Sequence, residues 1–192
     1  PWNHPGPRYL YNERKRVEDL LWNKIVTNVA EFSEGPYANR WFCFEKLSGE
    51  LRWIQDLQTL NKVTIRDAGG LPNANLLTEG YGGRSIYSSF DLLSGYDQFP
   101  LDERDRPRTA MHTPIGDIQL QVVPQGWTNA VAVVQRRMMQ VFRPMCPDKC
   151  EPYVDDVPLK GQEYKDETFV LPGVRAFAYN HGKDIRQLLE LA

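Results

Sequence analysis

The sequence predicts an α+β fold: a mainly antiparallel sheet with helices on one face. Three observations predict it. Short apolar runs bounded by turn residues are mixed with helical stretches, without strict strand–helix–strand alternation. Two runs end in acid: Ile86-Tyr87-Ser88-Ser89-Phe90 closes on Asp91, and Tyr153-Val154 on Asp155-Asp156. Between them, residues 127–142 place Val131, Val134, Met138 and Val141 at helical spacing.

The first twelve residues are rich in Pro, Gly and Asn and predict irregular chain. Asn12 is a candidate cap for a helix to about Val29, with Val17, Leu20, Leu21 and Ile25 on one face. Trp41-Phe42-Cys43-Phe44 reads as a strand, Ser48-Gly49 as a turn, and Leu51–Ile54 as the returning strand. This hairpin carries Lys46 near its tip and Arg52 on its second arm. Gly69-Gly70-Leu71-Pro72 breaks the chain ahead of a short helix at 73–79. Ser85–Asp91 predicts a buried strand and Ile118–Val123 another. Trp127–Phe142 is the helix described above. Tyr153–Lys160 predicts a hairpin with the acid pair at its bend, since Asp suits tight turns. Pro158 restricts its arm to an edge or a bulge. Val174–Leu191 predicts a helix despite Gly182.

With 192 residues the chain can form one sizeable domain or two small lobes. A hydrophobic content of 41% with 25% charged residues predicts a soluble globular protein. No apolar run approaches the roughly 20 residues of a membrane helix. The chain begins with Pro1 rather than Met, so an excised part of a longer protein is expected. Cys43, Cys146 and Cys150 make no disulfide framework, which points to a reducing compartment. The net charge of −2 argues against nucleic-acid binding by the whole surface. Local cations remain: Arg14-Lys15-Arg16, Arg136-Arg137, and single Lys46, Arg52, Lys62 and Arg66. The two clusters read equally well as solvated faces.

Adjacent acids in a turn are ordinarily surface decoration, and strands often end in Asp. The combination says more. A sheet can bring Asp91, Asp155 and Asp156 to one rim, where three carboxylates repel unless cations lie between them. Mg²⁺ suits such a rim, because it takes hard oxygen ligands and leaves positions for substrate phosphates. Two ions sharing a carboxylate support in-line phosphoryl displacement. Rival chemistries lack their residues. His4, His112 and His181 are scattered, no Gly-rich phosphate loop follows a strand, and no Gly-x-Ser-x-Gly occurs.

Several stretches then resemble one family. Tyr153-Val154-Asp155-Asp156 resembles the YxDD box of reverse transcriptases, and Phe90-Asp91-Leu92-Leu93-Ser94-Gly95-Tyr96-Asp97-Gln98 their first catalytic-acid motif. Pro124-Gln125-Gly126-Trp127-Thr128-Asn129-Ala130 is similar to the motif ahead of their primer-supporting helix, and Arg52 to Lys62 to their fingers motif. Arg40-Trp41-Phe42-Cys43 and Val157-Pro158-Leu159-Lys160-Gly161 resemble the Ty3/Gypsy-type long-terminal-repeat retrotransposons, of fungal kind. The motifs keep family order over residues ~36–161, and their joint order is specific where no single motif is.

The resemblance implies right-hand polymerase fingers and palm, with a palm sheet backed by helices and a fingers hairpin. Residues 1–35 would be an N-terminal extension and helix, 36–84 part of the fingers, and 85–192 palm with a fingers insertion near 100–125. It implies RNA- and DNA-directed DNA synthesis with two Mg²⁺ ions, Mn²⁺ substituting. By position, Asp91, Asp155 and Asp156 would be the catalytic metal ligands, with the Leu92 carbonyl on the triphosphate-bearing ion. Lys46 and Arg52 would hold the triphosphate, Tyr96 would lie under the incoming sugar, and Gln125 would contact nucleotide or template. Lys46 sits in Glu45-Lys46-Leu47-Ser48-Gly49, where the family usually has more Lys and an Asp before the Gly. Gly126, Trp127 and Tyr153 would meet nucleic acid, Trp127 reading equally as core. Expected partners are a primed RNA or DNA template, dNTPs, and the thumb, connection and RNase H segments of the same polyprotein, without a membrane. The expected compartment is cytoplasmic, in virus-like particles, or nuclear. Two alternatives stay open: a catalytically inactive remnant that binds nucleic acid or protein, and another two-metal phosphoryl-transfer enzyme on a different fold.

Overall fold

The computed structural model describes residues 1–192, which divide into two compact units. Residues 1–66 and 96–130 form the first, residues 67–95 and 131–192 the second.

The first unit opens with helix α1, Tyr11–Val26, which buries Val17 and Leu21, one helical turn apart. The helix stops before the expected Val29 because Asn28 turns left-handed, with φ 57°. The released chain forms strand β1, Ala30–Phe32. Asn12 does not cap α1; Leu10 holds that position with no side-chain bond. Strand β2, Arg40–Glu45, pairs antiparallel with β3, Leu51–Asp56, from Arg40 opposite Asp56 to Glu45 opposite Leu51. Gly49, at φ 82°, closes the turn between them. Helix α2, Gln58–Val63, was not expected from the sequence, its single turn being too short for a periodic signal. The Asp56 carboxylate accepts the Gln58 N–H as that helix begins.

Strands β5, Met111–Thr113, and β6, Gly116–Leu120, form a hairpin, and β1 joins the other edge of β6. Ile118 therefore sits opposite Phe32 on one side and Met111 on the other, fully buried. Strand β6 ends at Leu120 rather than Val123; beyond it the chain keeps only an isolated bridge, Val122 to Pro100. Val17, Leu21, Ala30, Trp41, Met111 and Ile118 share one apolar core.

The second unit begins with helix α3, Ala74–Tyr81, whose cap is Asn73, accepting the Asn75 N–H. Strand β4, Tyr87–Asp91, pairs antiparallel with β7, Asp156–Lys160. The strand expected to be buried instead alternates exposed and half-buried residues. It belongs to a two-stranded sheet, where only the face shared with Val157 and Leu159 is covered. Pro158 is tolerated because the far edge of β7 carries only an isolated bridge, Leu159 to Cys150. Helix α4, Ala130–Val141, starts three residues later than expected. Its buried stripe is Ala130, Val134 and Met138, while Val131 and Val141 are exposed. A small hairpin of β8, Phe169–Leu171, and β9, Val174–Arg175, precedes helix α5, Ala176–Leu191. Gly173, at φ 76°, makes the turn that shortens the expected helix. Every sheet pairing is antiparallel, but there are four small sheets rather than one large one. No helix is long and apolar enough to cross a membrane.

His181 of α5 is buried, and its Nε2 lies 2.9 Å from the Ser88 hydroxyl of β4. Burial pushes its pKa below the ordinary value; Asp184 works against that shift and Lys149 adds to it. The unfolded chain then takes up a proton that the folded chain refuses. Stability will therefore fall as pH drops below about 6.5 toward the lowered folded value. A melting-temperature series from pH 8 to pH 5 checks this, and His181→Gln will flatten the slope in that window.

Candidate active site

Cross-strand register decides where the acids lie. Asp91 ends β4, Asp156 begins β7, and the two are direct partners. Directly opposed residues project to the same face, so both carboxylates leave one face at one end of the sheet. Both residues are exposed. On the opposite face Phe90 is paired with Val157, which is fully buried.

Asp155 comes one residue earlier, in a two-residue turn. The Tyr153 N–H donates to the Asp156 carbonyl at 2.8 Å, and the Asp156 N–H returns to the Tyr153 carbonyl at 3.1 Å. Val154 takes φ 58° to make the turn, a region that a β-branched residue adopts only under constraint. Beyond the last strand pair, the Leu92 N–H donates to the Asp155 carbonyl at 3.0 Å. Asp155 is thereby tied to the chain segment that follows Asp91. Gly95 lies beneath it: a Cβ at Gly95 would be 3.1 Å from Asp155 Cβ and 3.7 Å from Leu92 Cβ.

Backbone geometry therefore brings Asp91, Asp155 and Asp156 together, but their side chains do not close into a cage. No three His, Cys, Asp or Glu groups stand near enough to hold an ion. Like charges on exposed side chains repel and turn toward water. The donor set nonetheless fits a hard divalent cation. It is all carboxylate oxygen, and no Lys or Arg forms an ion pair with any member.

The remaining candidates occupy distinct places. Lys46, in the β2–β3 turn, pairs with Glu50 at 2.7 Å, and its neighbour Glu45 pairs with Arg16 at 2.8 Å. Arg52 is exposed on β3 opposite Phe44. Tyr96 is half-buried in a single 3-10 turn, Gly95–Gln98. Gln125 is exposed, and Gly126 follows it at φ 89°. Trp127 donates its indole N–H to the Thr64 hydroxyl at 3.3 Å and lines a cavity of about 420 Å³ with Leu60, Ile65 and Pro124. Tyr153 is half-buried at the base of the acidic turn.

Two carboxamides given no site role in the sequence reading organise these loops. Asn61 donates to the Gly126 carbonyl at 2.9 Å and accepts the Thr128 N–H at 2.8 Å, holding the loop that bears Gln125 and Trp127. Gln135 bonds the acidic turn in the same two-handed way. Its signal was present: an uncharged polar residue directly after the apolar run Ala130–Val134 of a helix.

Residues 44–187 match the family profile described as reverse transcriptase (RNA-dependent DNA polymerase). An enzymatic polyprotein of cauliflower mosaic virus (strain CM-1841) is 33% identical over 172 residues, 88% of this chain and 25% of that polyprotein. The retrovirus-related Pol polyprotein from transposon opus of Drosophila melanogaster is 30% identical over 161 residues, 81% of this chain and 16% of its own. The chain thus spans a quarter or less of these relatives. The native prototype foamy virus protease-reverse transcriptase shares the fold, with a TM-score of 0.80 at 15% identity over 100% of this chain and 24% of that one.

The closeness of Gly95 to Asp155 can be tested directly. Gly95→Val will destabilise the second unit by about 1–3 kcal/mol in urea unfolding, as overpacking does. In amide spectra it will move the Asp155 and Leu92 resonances and leave those of β5 and β6 in place.

Proposed function

The chain belongs to the reverse transcriptase family, and on that footing we propose that it is the polymerase core of a retroelement Pol polyprotein, extending a primer with dNTPs on an RNA or DNA template. One observation carries the reading: Asp91 and Asp156 are register partners at one sheet end, with Asp155 in the adjoining turn. Divalent metal ions serve this family; Mg²⁺, with Mn²⁺ as substitute, would supply Lewis acidity for the primer hydroxyl and charge neutralisation for the leaving pyrophosphate.

Asp91 and Asp155 would hold the ions, Asp156 would be the third and weaker ligand, and Leu92 would contribute its carbonyl. Arg52 and Lys46 donate charge-assisted bonds to the triphosphate, for which Lys46 must leave Glu50. The Tyr96 ring excludes a ribose 2′-hydroxyl. Gln125 meets the incoming nucleotide or template, and Gly126, Trp127 and Tyr153 line the nucleic-acid path. Residues 36–84 serve as part of the fingers and residues 85–192 as palm, with a fingers insertion near 100–125. Likeness to a foamy viral enzyme solved in complex with an RNA/DNA hybrid, with a TM-score of 0.78, supports nucleic acid as the partner. Thumb, connection and RNase H segments of the same polyprotein complete the grip. The source is a Ty3/Gypsy-type element of fungal kind, and the enzyme works in cytoplasmic virus-like particles or the nucleus.

A second reading, a remnant that binds nucleic acid or protein without catalysis, is favoured by two observations. Lys46 is engaged by Glu50, and the carboxylates form no ready cage. Primer extension on an RNA template with Mg²⁺ or Mn²⁺ separates the two. Asp91→Asn and Asp155→Asn will each lower the rate at least about a hundredfold, corresponding to roughly 3 kcal/mol of lost transition-state stabilisation. Equal extension by wild type and Asp155→Asn refutes the role of Asp155. Binding of primed template with no extension by wild type, when the thumb and connection segments are supplied with it, supports the remnant.

A further inference from the structure

Gln135 sits in the middle of α4, only 5% exposed, beside the buried Val134. Its Nε2 donates to the Pro152 carbonyl at 2.8 Å, and its Oε1 accepts the Val154 N–H at 2.7 Å. The orientation of the amide follows from its partners, since only its oxygen can face an N–H and only its nitrogen a carbonyl. Those partners flank Tyr153, so one side chain grips the acidic turn on both sides of its first residue. Within that turn Val154 is held at φ 58°, and the next residue is Asp155. The Asp155 carbonyl in turn receives the Leu92 N–H. An unbroken chain of hydrogen bonds and backbone therefore runs from α4 through Asp155 to the residue after Asp91.

We propose that Gln135 is a positioning residue for metal binding. It fixes the backbone from which Asp155 projects, so that the carboxylates of Asp155 and Asp91 can share a divalent cation. The inference rests on the metal-binding reading of the acids, but it concerns a residue that touches neither ion nor substrate. An ordinary buried glutamine would satisfy its own amide and stabilise the fold. This one spends both bonds on two main-chain groups of a single strained turn, and an apolar residue of similar length would leave both groups unpaired.

The test uses the 192-residue chain, Mn²⁺ as probe, and four proteins: wild type, Gln135→Met, Asp155→Asn and the double variant. Mn²⁺ affinity is read by electron paramagnetic resonance, and the hydrogen exchange of the Val154 amide by NMR. Gln135→Met will speed Val154 exchange at least about tenfold as the turn opens locally. It will also weaken Mn²⁺ binding by roughly ten- to a hundredfold, the usual effect of removing a group that orients a ligand. Because Gln135 acts through Asp155, the double variant will bind Mn²⁺ no more weakly than Asp155→Asn alone. Multiplying losses, or wild-type affinity in Gln135→Met when Asp155→Asn is weakened, overturns the proposal alone. Unchanged affinity in Asp155→Asn overturns the metal-site reading and leaves the turn-holding role to the exchange measurement. Should Gln135→Met lose its cooperative unfolding, Gln135→Glu replaces it, keeping the acceptor for Val154 and losing the donor to Pro152; an intermediate loss of affinity is expected, and none overturns the proposal.

Discussion

The pairing of β4 with β7 puts two negative charges directly opposite each other, and the second unit is built so that this register is kept. Opposed carboxylates repel by about 1 kcal/mol at 4 Å in water and by several times that where water is partly excluded. A slip by one residue would relieve the repulsion, but it would turn the other face of β7 outward. Val157 and Leu159, both fully buried, would go to solvent, at roughly 1.5–3 kcal/mol each. The apolar face therefore wins, and the acids stay opposed at the rim. Fold stability enforces a charge arrangement that is unfavourable by itself and suited to a cation.

The turn that adds Asp155 carries a second local cost. A β-branched residue at positive φ stores about 1–3 kcal/mol. The two hydrogen bonds from Gln135 return roughly 0.5–1.5 kcal/mol each. The magnitudes match closely enough that the turn is held, with little to spare. Asn61 uses the same device on the Gln125–Trp127 loop, where Gly126 supplies the positive φ at no steric cost. A neutral carboxamide suits both places, since it satisfies one donor and one acceptor without bringing charge to the loop it holds.

Local signals explain what the sequence disclosed. The β2–β3 hairpin, α3 and the acidic turn were legible because alternation and turn chemistry act within a few residues. Asp91 and Asp155–Asp156 stood out as strand-end acids, but their register did not, because it is set by contacts 65 residues apart in sequence. The pairing of Ala30 with Leu120, which takes up the chain after α1, joins residues far apart in sequence that no local pattern links. The single turn of α2 and the two-residue β9 are too short for any period to show. Gln135 was passed over because helix position and hydrophobicity say nothing about which carbonyl a buried amide will meet.

Net charge is silent on placement for a related reason: it counts cations without saying where they are used. Much of the basic complement is engaged within the chain. Arg16 holds Glu45 and the Gly49 carbonyl, Lys24 holds Asp97, Arg106 holds Glu31, Arg136 holds Asp67 and Lys149 holds Asp184. The exposed pairs among these, such as Arg16 with Glu45, contribute under about 1 kcal/mol each. Their larger effect is geometric, since Arg16 steadies the β2–β3 turn that carries Lys46. Arg52 enters none of these pairs and stands exposed on the second arm of that hairpin. A chain of net charge −2 can therefore still present a cation where an anionic ligand needs one, because the charge that matters is the one left unneutralised at a rigid position. The acids follow the same logic with the opposite sign: none of the three enters an ion pair with a lysine or arginine, so the repulsion among them is not relieved within the chain.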